Sequence, residues 1–323
     1  MQENRPATWI DLARFLGATL AILAAVFVYL FVKDPYGRWG YRSSAQMPNL
    51  GERELLVSRA LDPQFDAAIV GNSTSIPMQP EILDRLTGYR FVSLSMSGSQ
   101  SPVALTAATF FLRHHPLAKV VIIALDDSWC TEGDDVDETH PFPDWLWGNG
   151  AQYIFGLATH LSWDTIRVAL TEREHNRLDG YHPYDETFRE HGFDDIKMVK
   201  HKLDMAKRPI ETRYSPPYLF DPPQALSKFI RSAPDRVTFV LFWTPRYISI
   251  QPLEHSAAAA ADAACKQQVA KLASSRARIV DWSGLRPENL DPSNFYETNH
   301  YRDKLAIKIE QEISQKLADP LSH

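Results

Sequence analysis

Apolar, strand-like runs alternate with helix-like segments along most of the chain, and this alternation constrains the fold more than any other feature. The runs are rich in Val, Ile, Leu and Phe and lie at residues 66–71, 89–96, 119–125, 236–243 and 277–282. The helix-like segments lie at about 79–87, 101–114, 222–232, 256–274 and 301–317. Continuous apolar runs of this length are typical of strands buried on both faces. Strand, helix, strand in repetition predicts parallel pairing with right-handed crossovers.

The predicted fold class is therefore α/β, a three-layer α/β/α sandwich around a parallel, five-stranded, flavodoxin-like sheet. Residues 126 to about 220 interrupt the alternation, because they contain no convincing strand pattern. Within them, "WDTIRVALTEREH" (163–175) has helical character. We expect a mostly helical insertion that leaves the end of the third strand.

The N-terminal region contains "FLGATLAILAAVFVYLFV", residues 15–32, a run of 18 residues without a charge. This is about the length that crosses a bilayer. A secretory signal peptide has a shorter apolar core and a small-x-small cleavage site, whereas Tyr29, Leu30 and Phe31 stand at that point here. We expect an uncleaved single-span anchor, with a buried core helix as the alternative. Basic residues flank both ends, so charge does not select an orientation.

The sequence thus divides into a short N-terminal segment (1–14), an anchor (15–32), a juxtamembrane segment (33–65) and one α/β domain (66–323) that carries the insertion. The net charge of −6 and the pI near 6.0 give no indication of a nucleic-acid partner. Cys130 and Cys265 are far apart and lack zinc-binding spacing, so we expect no zinc site. We also predict no other metal and no cofactor. The sequence leaves undecided whether these two cysteines form a disulfide.

The residues that follow the predicted strands are small and polar, and ligands of open α/β sheets bind at that edge. The first strand runs into "GNSTS" (71–75), the second into "SMSGS" (95–99), the third into "DDSW" (126–129) and the fourth into "TPR" (244–246). We expect these segments to converge on one crevice.

A carboxylate stands three residues before a histidine near the C-terminus, in "ETNH" (297–300). A loop with this spacing that enters the last helix lets the carboxylate of Glu297 hold the His300 imidazole. The other ring nitrogen then faces the crevice. This is the orienter and base geometry that a serine nucleophile requires.

These segments, in this order, resemble the motif blocks of the SGNH (GDSL-type) hydrolases and acyltransferases. "GNST" follows strand one, "SMSG" follows strand two, and a carboxylate-x-x-His precedes the last helix. The likeness is closer to the membrane-anchored bacterial branch, which includes the D-alanyl transfer protein of lipoteichoic acid synthesis and polysaccharide O-acetyltransferases. The resemblance covers roughly residues 66–130 and 236–317 and leaves the insertion outside.

The resemblance implies Ser73 as the nucleophile, His300 as the general base and Glu297 as the carboxylate that orients it. It also implies that the backbone N–H groups of Ser73 and Gly98 donate to the oxyanion. Two features depart from the family pattern. The family's acid is usually Asp, so Asp291 remains an alternative to Glu297.

The second departure concerns the third oxyanion donor, because the family places an Asn after strand three. Asp126 and Asp127 stand there in this sequence, and an ionised carboxylate cannot donate a hydrogen bond. Asn72 is the candidate replacement. We favour helix capping or a loop hydrogen bond for the two aspartates.

Ser73, Arg246 and Trp129 each have both a structural and a functional interpretation. Ser73 suits the cap of a helix as well as catalysis. Arg246 suits an anionic substrate or an ion pair with a carboxylate, and Trp129 suits stacking on a sugar or packing in the core. A phosphate-binding turn at 71–75 is set aside, because its Gly-rich spacing and its lysine are missing.

The residues and the resemblance together predict acyl transfer through an acyl-serine, with water or a hydroxyl as acceptor. The resemblance and the anchor imply a single-pass protein of the inner (cytoplasmic) membrane with a periplasmic domain. Its substrate would be a cell-envelope polysaccharide, and a polytopic membrane protein would supply acyl groups. The alternative is a catalytically weak or inactive scaffold subunit of an envelope polysaccharide complex.

Overall fold

The computed structural model describes residues 9–39, 52–130, 142–160, 166, 196–205, 220–274 and 276–319. In chain order the longer helices are α1 (Trp9–Lys33), α2 (Glu52–Arg59), α3 (Pro80–Thr87), α4 (Ser101–His114), α5 (Asp144–Trp147), α6 (Gly150–Thr159), α7 (Ile196–Met205), α8 (Asp221–Ser232), α9 (Ala257–Ala270) and α10 (Asp303–Ala318). The strands are β1 (Ala67–Gly71), β2 (Phe91–Ser95), β3 (Val120–Leu125), β4 (Thr238–Trp243), β5 (Ala277–Asp281), β6 (Phe295–Glu297) and β7 (His300–Tyr301).

The chain divides into two compact units, which we describe separately. The smaller unit comprises residues 1–58 and 143–176, and the larger comprises 59–142 and 177–323. The larger unit contains the sheet and all the residues that the sequence places at the crevice.

The main sheet has five parallel strands in the order β2-β1-β3-β4-β5. Every residue of β1 and β3 is buried, as expected for strands covered on both faces. The α/β class, the five strands and their parallel pairing are therefore confirmed. The strands lie within the five apolar runs of the sequence.

Helices of the larger unit form two packed groups. In one group α3 packs on α10, and in the other α8 packs on both α4 and α9. This helical content fits a three-layer sandwich. The helix α3 begins with Pro80, whose fixed φ suits the first turn, and ends at Gly88 with φ +76.

The core beside α10 joins the sheet to the C-terminal region. Ile122 and Phe242 from the strands pack in the same cluster as Leu305 and Ile309 from α10. Full burial of one such side chain contributes about 1.5–3 kcal/mol. This cluster therefore fixes the last helix, and the residues just before it, against the sheet.

Residues 295–301 form a small antiparallel hairpin of β6 and β7. The sequence analysis described this region as a loop, and that description is wrong. The buried side chains of Phe295 and Tyr301 join the core cluster and hold the hairpin in place. His300 therefore stands on a strand that packs against the core.

In the smaller unit, α1 is long and apolar enough to cross a membrane. The predicted anchor, residues 15–32, lies within this helix. Its only buried side chain is that of Leu30, near the C-terminal end.

The predicted insertion is helical where the structure describes it, in α5, α6 and α7. Apart from Ile166, the segment 163–175 lies outside the described residues. The sequence did not indicate that residues 143–160 belong to the same unit as α1.

In the larger unit, a disulfide joins Cys130 to Cys265, with Cα atoms 5.6 Å apart, and so ties the turn after β3 to α9.

Candidate active site

Ser73 lies on a tight turn at the carboxyl end of β1. Residues 73–75 form one turn of 3₁₀ helix, and the Asn72 side chain caps it by accepting from the Thr74 N–H at 3.0 Å. A Cβ atom at Gly71 would lie 2.4 Å from Ser75 Oγ and 2.8 Å from Ala124 Cβ. The turn therefore needs glycine at 71. Asn72, and not Ser73, takes the capping role.

The hydroxyl of Ser73 contacts the imidazole of His300. Ser73 Oγ lies 2.9 Å from His300 Nε2, across 227 residues of sequence. When the proton of the ring is on Nδ1, the Ser73 hydroxyl donates to Nε2. That arrangement allows the imidazole to accept the serine proton as a general base.

Glu297 lies on the other side of the same ring. Its Oε2 atom is 3.4 Å from His300 Nδ1, and the His300 side chain is 16% exposed against 42% for Glu297. Interaction with the His300 ring is the main cause that lowers the pKa of Glu297 below its ordinary value. Glu297 is therefore an ionised carboxylate at neutral pH, able to hold Nδ1–H and to stabilise an imidazolium.

Asp291 lies elsewhere. It is exposed, and its carboxylate accepts from the Ser293 N–H at 2.9 Å to cap the short turn at 292–294. The structure thus brings Glu297, rather than Asp291, to the histidine.

The hairpin that carries both residues is fixed by backbone bonds as well as by its buried aromatic rings. The Tyr247 N–H donates to the Thr298 carbonyl at 2.7 Å, and the Arg302 N–H donates to the Asn294 carbonyl at 2.8 Å. The first bond ties the hairpin to the chain just after β4. His300 is therefore held by the sheet-bearing framework, which favours a defined imidazole position.

The turn after β2 is tied directly to the end of β1. The Met96 N–H donates to the Gly71 carbonyl at 3.1 Å, and Ser99 Oγ donates to the same carbonyl at 2.9 Å. Gly98 lies in this exposed turn with φ +63, a backbone conformation that favours glycine. The two turns that the sequence assigned to the nucleophile and the oxyanion are thus joined at Gly71.

Asn72 is oriented by Asp126, the residue that follows β3. Its Nδ2 atom donates to Asp126 Oδ2, while its Oδ1 accepts from Thr74. Asp126 Oδ1 accepts from the Ser128 N–H at 3.0 Å, the loop hydrogen bond that the sequence favoured. An amide nitrogen carries two protons, so one Asn72 N–H remains for an oxyanion.

Arg246 and Trp129 lie in structural positions. The Arg246 guanidinium is 6% exposed and donates to Asp127 and Asp262, each at 2.8 Å. Trp129 is 2% exposed and belongs to the core. These contacts favour the ion-pair and core interpretations over the substrate-binding ones.

Sequence reasoning missed Glu310, a fully buried carboxyl on α10. It accepts a hydrogen bond from the Gln79 N–H at the start of α3, and burial raises its pKa to about 8. This bond joins the segment after the Ser73 turn to the helix that follows His300. Helical spacing was the available signal, since Glu310 falls on the face of the buried Ala306, Ile309 and Ile313.

Sequence reasoning also missed the contact between Asp126 and Asn72. Knowledge of the strand order would have indicated this contact, because β1 and β3 are neighbours in the sheet and their carboxyl ends therefore lie side by side.

Within the described residues, no group of three or more His, Cys, Asp or Glu side chains is placed to hold a metal ion. No protein-family model matches the chain, and no curated protein sequence matches it significantly. The site presents a hydroxyl, an imidazole and a carboxylate in sequence at the carboxyl edge of a parallel sheet, an arrangement suited to nucleophilic catalysis.

Proposed function

We propose that the chain is a membrane-anchored serine acyltransferase or esterase that works through an acyl-serine intermediate. The observation that carries the proposal is the 2.9 Å contact of Ser73 Oγ with His300 Nε2, with Glu297 beside Nδ1. A nucleophile within hydrogen-bonding reach of a base that a third group orients is the arrangement used for covalent acyl transfer.

In the first half of the reaction, Ser73 Oγ attacks the carbonyl carbon of the acyl donor while its proton passes to His300 Nε2. The resulting oxyanion accepts hydrogen bonds from the backbone N–H groups of Ser73 and Gly98 and from the remaining N–H of Asn72. Each such donor stabilises the transition state by about 3 kcal/mol. The tetrahedral intermediate collapses, the leaving group takes the proton from His300, and the acyl group stays on Ser73.

In the second half, His300 removes a proton from the acceptor, which attacks the acyl-serine carbonyl and restores the Ser73 hydroxyl. Water as the acceptor gives hydrolysis, and a sugar hydroxyl gives transfer. Glu297 stabilises the imidazolium formed in each half.

The strand order β2-β1-β3-β4-β5 supports the fold assignment behind this proposal, because it is the flavodoxin-like order. In such sheets, ligands bind at the carboxyl edge where the strand order reverses, beside β1 and β3. Ser73 follows β1. The order thus favours the SGNH-type assignment suggested by the sequence motifs.

The anchor and the disulfide support a position outside the cytoplasm. Disulfides persist in oxidising compartments such as the bacterial periplasm and are rare in the cytosol. The Cys130–Cys265 bond supports a periplasmic location for the larger unit, with α1 as the anchor in the inner membrane. A cell-envelope polysaccharide that carries O-acyl groups such as acetate is the substrate that the resemblance favours, with acyl groups supplied by a polytopic membrane protein.

A second candidate is a scaffold subunit of an envelope polysaccharide complex that has lost catalytic competence. Two observations favour it: the 3.4 Å separation of Glu297 from His300, and a carboxylate where the family places an Asn donor. The close Ser73–His300 contact opposes it.

A fluorophosphonate probe separates the two candidates, because it labels only an activated serine. We expect the full-length chain in detergent to be labelled, Ser73→Ala to be unlabelled, and Ser97→Ala, in the exposed turn after β2, to be labelled like the parent. A folded, monodisperse parent that takes no label would overturn the enzyme proposal and favour the scaffold.

A further inference from the structure

The helix α6 is apolar on two faces, although it packs against protein on only one. Tyr153, Gly156 and Leu157 form its buried face. The opposite stripe is exposed and consists of Ala151, Ile154, Phe155 and Ala158, at the spacing i, i+3, i+4, i+7. Phe155 is 71% exposed and Ile154 is 40% exposed. A helix that is hydrophobic all round is expected inside a core or in a membrane.

The sequence around α6 lacks charge. Residues 145–163 contain no Asp, Glu, Lys or Arg, and tryptophans stand at both ends of this run. Tryptophan is enriched at membrane–water interfaces. The composition therefore favours a lipid neighbour for the exposed stripe over water.

The buried face of α6 is attached to the C-terminal end of α1, within the smaller unit. The Tyr153 hydroxyl donates to Asp34 at 3.1 Å, and the rings of Tyr153 and Trp39 are 5.1 Å apart. Arg38 donates to the carbonyls of Leu146 at 3.2 Å and Gly148 at 2.8 Å, just before α6 begins. All these partners follow the apolar part of α1 directly, so α6 lies beside the C-terminal end of α1, where a membrane-spanning α1 would leave the bilayer.

Gly156 allows α6 to pack closely against α5. A Cβ atom there would lie 2.5 Å from the Trp145 side chain, so a larger residue would push α6 away from α5. The ring of Trp145 in turn contacts Tyr36, at 5.3 Å and edge to face. The exposed stripe is thus held in a fixed position relative to α1.

We propose that α6 is an interfacial helix that lies on the bilayer and buries the stripe Ala151, Ile154, Phe155 and Ala158 at the boundary of headgroups and acyl chains. Its ten residues, about 15 Å at 1.5 Å per residue, are too short to cross about 30 Å of hydrocarbon. A helix that rests in the interface with its apolar face buried accounts for both the exposed apolar stripe and the short length of α6. This inference rests on the membrane anchor of the proposed function and not on its catalytic part.

Nitroxide-lipid quenching tests the position of α6. The two native cysteines are joined to each other, so one introduced cysteine can carry an environment-sensitive fluorophore without a reductant. The full-length chain is labelled at Phe155→Cys, with Ile154→Cys as a second stripe position. Leu23→Cys in α1 reports the anchor, and Leu117→Cys, 77% exposed in the larger unit, is the water-exposed reference. Each is reconstituted in phosphatidylcholine–phosphatidylglycerol vesicles.

We expect blue-shifted emission at 155 and 154, quenched most by nitroxides placed near the headgroups. The signal at 23 should be quenched most by nitroxides deep in the acyl chains, and the signal at 117 by aqueous iodide. If 155 and 154 behave like 117 while 23 is quenched by lipid, the inference fails and the anchor stands.

Two further outcomes also overturn the inference. A blue shift at 155 without quenching by lipid nitroxides would mean that protein, such as a second copy or another membrane protein, covers the stripe. Loss of lipid quenching at 23 would remove the anchor itself, and the inference with it.

Discussion

Two polar clusters lie after the carboxyl ends of strands in one sheet, and their charges are arranged differently. The Arg246 cluster consists of Arg246, Asp127 and Asp262, with both ion-pair distances at 2.8 Å. The Ser73 cluster consists of Ser73, His300 and Glu297, in which a neutral hydroxyl meets an imidazole. The sequence placed members of both clusters in one predicted crevice.

The difference shows which strand-end residues are available for chemistry. In the Arg246 cluster a permanently charged guanidinium satisfies two carboxylates, so no proton moves at ordinary pH. In the Ser73 cluster the imidazole contacts a hydroxyl whose proton it can accept as a general base. The first arrangement stabilises the fold, and the second supports proton transfer.

After the loss of Ser73 itself, removal of the base should have the largest effect on labelling. We expect His300→Ala to slow fluorophosphonate labelling by about 10³–10⁴-fold, because the serine loses its proton acceptor. The thermal unfolding temperature should stay near that of the parent. The matched control is His255→Asn, an exposed histidine at φ +64, where Asn is better tolerated than Ala. A labelling rate within about tenfold of the parent would remove His300 from the mechanism.

Glu310 extends the comparison to a buried carboxyl whose pKa is raised. Its folded pKa of about 8 exceeds its ordinary value of 4.5, so the folded state retains a proton that the unfolded state has lost. The contribution of Glu310 to stability should therefore be greatest below about pH 4.5, fall as the pH rises, and be lost above about pH 8.

Glu310→Gln removes this dependence and keeps an acceptor for the Gln79 N–H. We expect the free energy of unfolding of Glu310→Gln, relative to the parent, to rise by up to about 4 kcal/mol between pH 5 and pH 9. Denaturant titrations at the two pH values measure it. Parallel pH profiles for the two proteins would show that Glu310 ionises normally in the fold.

Arg246→Met should affect stability rather than chemistry. It leaves two carboxylates near each other without their shared cation, and we expect a loss of about 3 kcal/mol, since one partner is half-exposed. Labelling of the protein that remains folded should change by less than about threefold. If labelling falls sharply while the unfolding temperature does not, Arg246 belongs with the substrate-binding residues instead.

Glu297 should have a smaller effect than His300, because it acts through the imidazole and is partly exposed. We expect Glu297→Gln to slow labelling by about 10²-fold, equivalent to about 2.7 kcal/mol. Asp291→Asn is the matched control and should leave the rate unchanged. The reverse result would make Asp291 the orienting carboxylate.

Much of the fold could be predicted because it depends on local patterns. Hydrophobic periodicity and nearby Pro, Gly and polar residues predict most of the elements. These are the strands β1 to β5 and the helices α3, α4, α8 and α10. Ser73 and His300 were expected at one edge of the sheet because of its parallel topology. Ser73 comes directly after β1, and His300 comes just before the last helix, α10. The family resemblance suggested Ser73 and His300 as partners, and their side chains contact each other across 227 residues of sequence.

What could not be predicted depends on contacts between elements. The Asp126–Asn72 contact requires the strand order, and the burial of Glu310 requires the packing of α10 on α3. The hairpin around His300 has strands of only three and two residues, too short to give a period-2 pattern. The association of residues 143–160 with the N-terminal unit likewise depends on ring contacts between distant segments, such as that of Trp39 with Tyr153.

Trapping of the acyl-enzyme tests the central claim most directly. The full-length chain in detergent is mixed with p-nitrophenyl acetate, quenched in acid, digested and mapped by mass spectrometry, alongside Ser73→Ala. The account predicts that acetate is found on the peptide that contains Ser73, close to one group per chain at early times, and is absent from that peptide in the variant. Folded protein that stays unacetylated, or acetylation that persists unchanged in Ser73→Ala, would contradict it.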